Sequence, residues 1–91
     1  MIKKLILITG LMLSASLWAD INSFIKGEFN GWQGYDKTIV ELQNGQVWVQ
    51  NQAHISSSIS IGSPVKIYIK NGMYYMQIPN EPMDVIVRRI R

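Results

Sequence analysis

His54 is the one histidine of this 91-residue chain, and Ser56, Ser57, Ser58 and Ser60 follow it closely. A nucleophilic serine needs an adjacent base, an acid that orients the base, and oxyanion donors. Here no nucleophile-elbow pattern surrounds any of the four serines, and so small a chain has little room for an enclosed cleft. A histidine-centred metal site would draw its other ligands from Asp and Glu, but these are scattered without ligand spacing. His54 is therefore read as an exposed imidazole in a polar loop. Gly27, Gly31 and Gly34 do not lie between a strand and a helix, as a phosphate-cradling loop requires. They are read as backbone geometry. No catalytic residue, metal or cofactor is expected, and the chain reads as a non-enzyme.

Aromatic and basic side chains are better candidates. Trp48 stands among Glu41, Gln46 and Gln50 on the polar side of the hairpin described below. An exposed indole flanked by amides can stack on a sugar ring or anchor a peptide. The competing reading makes it a core residue beneath a covering strand or loop. Trp32, between two nearby glycines, reads first as a plug over one end of the fold and second as a contact residue. The other candidate surface comprises Lys66, Tyr68, Lys70, Tyr75, Gln77 and Arg88, interleaving basic groups with a tyrosine pair. It suits an anionic envelope polymer; otherwise it is an ordinary solvated strand face whose cross-strand pair contributes roughly 0.2–1 kcal/mol.

These residues are placed by strands. Beyond residue 20 the apolar positions recur with period two, and Gly and Pro punctuate the chain often. Asn44-Gly45 suits a two-residue type I′ turn. Such a turn would set Leu42 against Val47, Glu41 against Trp48 and Val40 against Val49, with Val40, Leu42, Val47 and Val49 forming one apolar face. Asn71-Gly72, treated alike, pairs Lys70 with Met73, Ile69 with Tyr74, Tyr68 with Tyr75 and Ile67 with Met76. A connection through Pro79-Asn80-Glu81-Pro82 leads to a strand over 83–90, with Val85 against Met76 and Val87 against Tyr74. The segment 24–32 supplies another strand, bent at its glycines. Ile55, Ile59 and Ile61 alternate within a serine-rich stretch, the pattern of a short edge strand.

Before these strands, Met1-Ile2-Lys3-Lys4 opens an apolar run, and Ser14-Ala15-Ser16-Leu17-Trp18-Ala19 closes it. A basic start, a short apolar stretch and small residues make a secretory signal peptide. The 15 residues from Leu5 to Ala19 fall short of the ~20 that span a bilayer. Cleavage is expected after Ala19, with Ala15 as the alternative, leaving no membrane span. Removing 19 residues from 91 leaves 72, with seven basic and six acidic side chains, a balance of +1. That balance weighs against nucleic acid as the partner. There is no Cys, so burial and strand pairing must hold this small exported domain without disulfides.

The run Gly27-Glu28-Phe29-Asn30-Gly31-Trp32-Gln33-Gly34, then Thr38, Leu42 and Asn44-Gly45-Gln46-Val47-Trp48-Val49-Gln50, resembles small exported or envelope proteins of proteobacteria. Those share a G-x-F-x-G-W-x-G segment, an L-x-N-G-Q-V-W-x-Q segment and a basic end with V-x-R-R, here Val85-Ile86-Val87-Arg88-Arg89-Ile90-Arg91. This chain departs from them by inserting Tyr35-Asp36-Lys37 and by placing Val49 where a polar residue is common. The resemblance covers most of residues 20–91 and implies a small β fold with a preserved hairpin, but no reaction.

The expected architecture is all-β: a signal peptide over 1–19, then, over 20–91, a small SH3-like or OB-like barrel of five to six short antiparallel strands. The expected role is a periplasmic or secreted binding or accessory module that meets a cell-envelope polymer. The alternative is a protein-interaction factor (an inhibitor, an immunity-like protein or a subunit) that caps a larger exported partner.

Overall fold

The computed structural model describes residues 20–91; the expected signal peptide lies outside the described residues. The described chain is all-β and contains no helix. Its strands are β1 (Ile21–Phe24), β2 (Glu28–Phe29), β3 (Ile39–Glu41), β4 (Val47–Gln50), β5 (Ser60–Ile61), β6 (Pro64–Lys70), β7 (Met73–Gln77) and β8 (Val85–Arg89). Six form one antiparallel sheet in the order β1-β6-β7-β8-β4-β3, while β2 and β5 pair separately. The large sheet curls until its outermost strands meet. A bridge joins Ile25 to Leu42, the Lys26 amide donates to the Glu41 carbonyl at 2.8 Å, and the Gln43 amide donates to the Phe24 carbonyl at 2.8 Å.

The meander β6-β7-β8 has the register its sequence predicts. Asn71 and Gly72 both take positive φ, 54° and 79°, as a type I′ turn demands. Lys70 then opposes Met73, Tyr68 opposes Tyr75, and Ile67 opposes Met76. Across the next pair Val85 opposes Met76 and Val87 opposes Tyr74. Val65, Ile67, Met76, Ile78, Val85 and Val87 consequently enter the core together.

The first hairpin corrects its expected register. Its loop takes three residues, Gln43-Asn44-Gly45, instead of two. The Gly45 amide donates to the Leu42 carbonyl at 3.0 Å, and the Leu42 amide donates to the Gln46 carbonyl at 2.9 Å. Gly45 takes the positive φ, 94°, while the Asn44 side chain accepts the Gln46 amide at 2.9 Å. This is the type I turn with a glycine bulge that commonly closes three-residue loops. Val40 now opposes Trp48, and Glu41 opposes Val47.

One residue of slip exchanges the two faces of a strand. Val40, Leu42 and Trp48 therefore share the core, while Val47 and Val49 occupy the outer side. Both valines stay buried even so. Val47 is bonded to the C-terminal backbone at Ile90 and Arg91, and Val49 lies between its cross-strand partners Ile39 and Arg88. The observed register thus buries the indole without exposing the valines.

The expected strand over 24–32 is divided by Gly27 (φ 91°) into the end of β1 and the two-residue β2. Gly31 (φ 88°) lies so close to the chain beneath that a Cβ there would meet the Ser56 carbonyl oxygen at 2.3 Å. Only glycine permits that approach.

Candidate functional site

The outer face of β6, β7 and β8 forms a grid built from the meander's register. Its middle row runs Tyr68, Tyr75 and Ile86. One adjoining row carries Lys66 and Gln77, and the other carries Lys70 and Met73; Arg88 stands beside Val49. The two tyrosine rings stack with centroids 5.5 Å apart and planes inclined by 11°. The Tyr68 hydroxyl donates to the Asp84 carboxylate. That bond, then burial and the nearby charges, pushes the phenol up from 10.0 to about 12. A phenol so engaged stays neutral and holds its ring in place.

The basic groups of the grid differ in their partners. Lys66 Nζ lies 3.3 Å from Asp20, and Arg88 donates to Asp36 at 2.6 Å. Lys70 has no ion pair among the described residues. A shallow cleft of about 390 Å³ borders one side of the tyrosine row, lined in part by Asn22, Lys66, Gln77, Asp84 and Glu81. Another of about 350 Å³ borders the other side, with Met73, Ile86 and Arg88 in its wall. The arrangement offers a flat aromatic strip, hydrogen-bonding groups on either side, and one unpaired cation. It has the means to hold a ligand; no nucleophile–base pair is part of it.

Trp48 and Trp32 do not belong to this surface. Trp48 is 1% exposed, because the three-residue loop turns it inward. Its Nε1 donates to Gln46 Oε1 at 3.1 Å, and its ring meets Tyr74 edge-on at 5.1 Å. Trp32 is fully buried and sits edge-on to Phe29 at 5.2 Å. Its amide donates to Ser56 Oγ at 2.9 Å, and its carbonyl accepts the Ser56 amide at 2.8 Å. Ser56 is thereby a structural residue that fixes the backbone at Trp32. Solvent reaches neither indole in any degree that binding would require.

His54 is half-buried, not exposed as its polar surroundings suggest. Its carbonyl accepts Gln50 Nε2 at 2.8 Å, and its own Nε2 is buried with no partner among the described residues. Ser58 donates to Glu81. His54, Ser56, Ser58 and Ser60 are half-buried, whereas Ser57 is exposed.

Two features escaped the sequence reading. Gln50 is fully buried and acts as a hub: Oε1 accepts the Gly34 amide at 3.1 Å, and Nε2 donates to the Gln52 and His54 carbonyls at 2.8 Å. A polar residue two positions after an inward tryptophan is the only signal, and it speaks only once the register is known. The second feature is the outward direction of Ile55, Ile59 and Ile61. Their alternation is legible, but which face it presents is not.

Compared with protein-family models, with curated proteins and with solved structures, the chain matches none.

Proposed function

We propose that the protein is a non-enzymatic binding or accessory module of the cell envelope, exported by its basic and apolar leader and folded as a small SH3-like or OB-like barrel. The observation that carries this reading is the stacked Tyr68–Tyr75 pair, held by Asp84 and bordered by a cleft on each side. Rigid aromatic side chains supply contact area at low conformational cost, which is why they recur in binding surfaces. Lys66, Lys70 and Arg88 add cationic groups around them. The fitting ligand is an envelope polymer with ring faces to stack and scattered anionic groups, such as peptidoglycan or the phosphates of lipopolysaccharide. Pairing of Lys66 with Asp20 and of Arg88 with Asp36 keeps the local charge modest. A nucleic-acid surface depends on a larger cationic excess.

Co-sedimentation with purified sacculi tests the polymer reading. The protein should pellet above a control protein of similar size, and Tyr68→Ala with Tyr75→Ala should reduce the pelleted fraction severalfold. Pelleting no greater than the control overturns it. The second reading, a factor that caps a larger exported protein, is favoured by Ile39 and Ile90, which remain exposed. Stoichiometric recovery of one exported protein on the tagged chain, lost on Ile39→Lys, distinguishes that reading from the first.

A further inference from the structure

From Ala53 to Ile61 the chain is inverted relative to the rest of the fold. Exposure alternates at every residue: Ala53, Ile55, Ser57, Ile59 and Ile61 face outward, while His54, Ser56, Ser58 and Ser60 are half-buried. That period is the period of an extended strand. The isoleucines are 76, 68 and 77% exposed, so the apolar side of this stretch has no cover among the described residues.

Its backbone has one satisfied edge. The Ser56 amide donates to the Trp32 carbonyl at 2.8 Å, and the Gly62 amide donates to the Gly27 carbonyl at 2.9 Å. Glu28 and Phe29 of β2 pair with Ile61 and Ser60. Successive residues of an extended chain direct their backbone groups to opposite edges. The backbone groups of Ser56, Ser60 and Gly62 thus serve the 27–33 segment, with Ile55 set against Gln33 and Ile61 against Glu28, and the amides and carbonyls of the odd-numbered residues between them point to the other edge. Natural sheet edges are ordinarily guarded by Lys, Pro or a bulge. From Ala53 to Gly62 there is neither a charged residue nor a proline.

The spacing is also its own complement. Ile55 and Ile59 stand two residues on either side of Ser57. An antiparallel second copy centred on Ser57 sets Ser57 against Ser57, Ile55 against Ile59, and Ala53 against Ile61. Every one of those pairs joins odd-numbered residues, whose backbone groups are the ones pointing outward. We propose that this edge pairs with the same edge of a second copy, giving a two-fold dimer in which the strands hydrogen-bond and the isoleucines pack across them. The contact is isologous, so it closes at two chains instead of growing into a filament. With no charge in the segment, two copies meet there without like-charge repulsion. The inference is independent of the polymer reading, because the tyrosine row lies on the large sheet and this edge does not.

Sedimentation velocity over a concentration series, on protein purified after expression of the full chain, tests the proposal. A dimer is expected, and Ile59→Lys should abolish it while leaving a folded monomer, because that side chain is mostly exposed. Ser57→Cys reads the register separately. The chain has no cysteine, and hydrogen-bonded antiparallel partners have Cα atoms about 5.5 Å apart, within disulfide reach. Oxidation should therefore link Ser57→Cys into a covalent dimer and leave Lys70→Cys largely unlinked. This second variant decides the matter if Ile59→Lys does not fold. A monomer at every concentration overturns the proposal, including a monomer that binds lipid vesicles or another protein through the isoleucines. So does a dimer unaffected by Ile59→Lys, or one that fails to link at position 57.

Discussion

Trp48 illustrates how much a single side chain can depend on its neighbours. All four residues of β4 are buried, so alternation within Val47-Trp48-Val49-Gln50 carries no information about direction. Trp48→Ala should cost about 3–5 kcal/mol, the usual range for a large aromatic removed from a core. A folded unit of this size holds roughly 4–11 kcal/mol in total, so urea unfolding should begin at or near zero denaturant. Gln50→Leu is the polar counterpart. It strands the Gly34 amide and the Gln52 and His54 carbonyls, and a buried group left without its partner costs about 1–3 kcal/mol. Its urea midpoint should fall clearly, although the substitution increases apolar content. Tyr68 makes a pH-dependent contribution. Its folded-state value of about 12 exceeds the ordinary 10.0, so the native protein holds that proton more tightly than the unfolded chain. The stabilisation is complete below pH 10.0 and is lost as pH rises through 10.0 toward about 12. A tyrosinate absorbance titration should find one of the four tyrosines ionising late, and Asp84→Ala should return it to the ordinary range.

At the level of elements, the two Asn-Gly turns are instructive because they share a dipeptide and differ in geometry. Asn71 accepts positive φ and leaves the loop at two residues. Asn44 instead uses its side chain to accept the Gln46 amide, and Gly45 alone takes positive φ. The dipeptide permits both loops. In the first hairpin the longer loop goes with an inward Trp48 and Gln50, and in the second the shorter loop goes with an inward Ile67 and Met76. Glycines can be ranked in the same terms. Gly72→Ala meets open space, so only the backbone penalty of about 1–2 kcal/mol applies. Gly31→Ala adds a clash with the Ser56 carbonyl and must push the backbone at residue 31 away from Ser56 and Ser57. Denaturation midpoints should fall further for Gly31→Ala than for Gly72→Ala; equal losses would contradict the close approach.

For the whole molecule, the decisive feature is the meeting of the first and last strands of the curled sheet. The Lys26 and Gln43 amides that join β1 to β3 link stretches of chain far apart in sequence, and both amides depend on the sheet remaining curled. Hydrogen exchange should therefore find them opening with the free energy of global unfolding. The Asn80 amide, on an exposed loop, should exchange much faster. If Lys26 and Gln43 exchange as quickly as Asn80, the outer strands part easily and the sheet is open in solution. On the outer face of β6–β8 the middle row, Tyr68, Tyr75 and Ile86, is half-buried, while Lys66, Lys70, Gln77 and Arg88 around it are exposed.

Local rules were sufficient for the all-β character, the β6-β7-β8 register, and hence the grouping of Lys66, Tyr68, Lys70 and Tyr75 on one face. There the turn type, the alternation and the apolar sorting agree within about twenty-five consecutive residues. Tertiary structure alone decided the direction of Trp48, the burial of Gln50 and the outward isoleucines of residues 55–61. In each case a short polar-and-apolar segment has two admissible faces, and the choice between them rests on which distant surface is there to receive it.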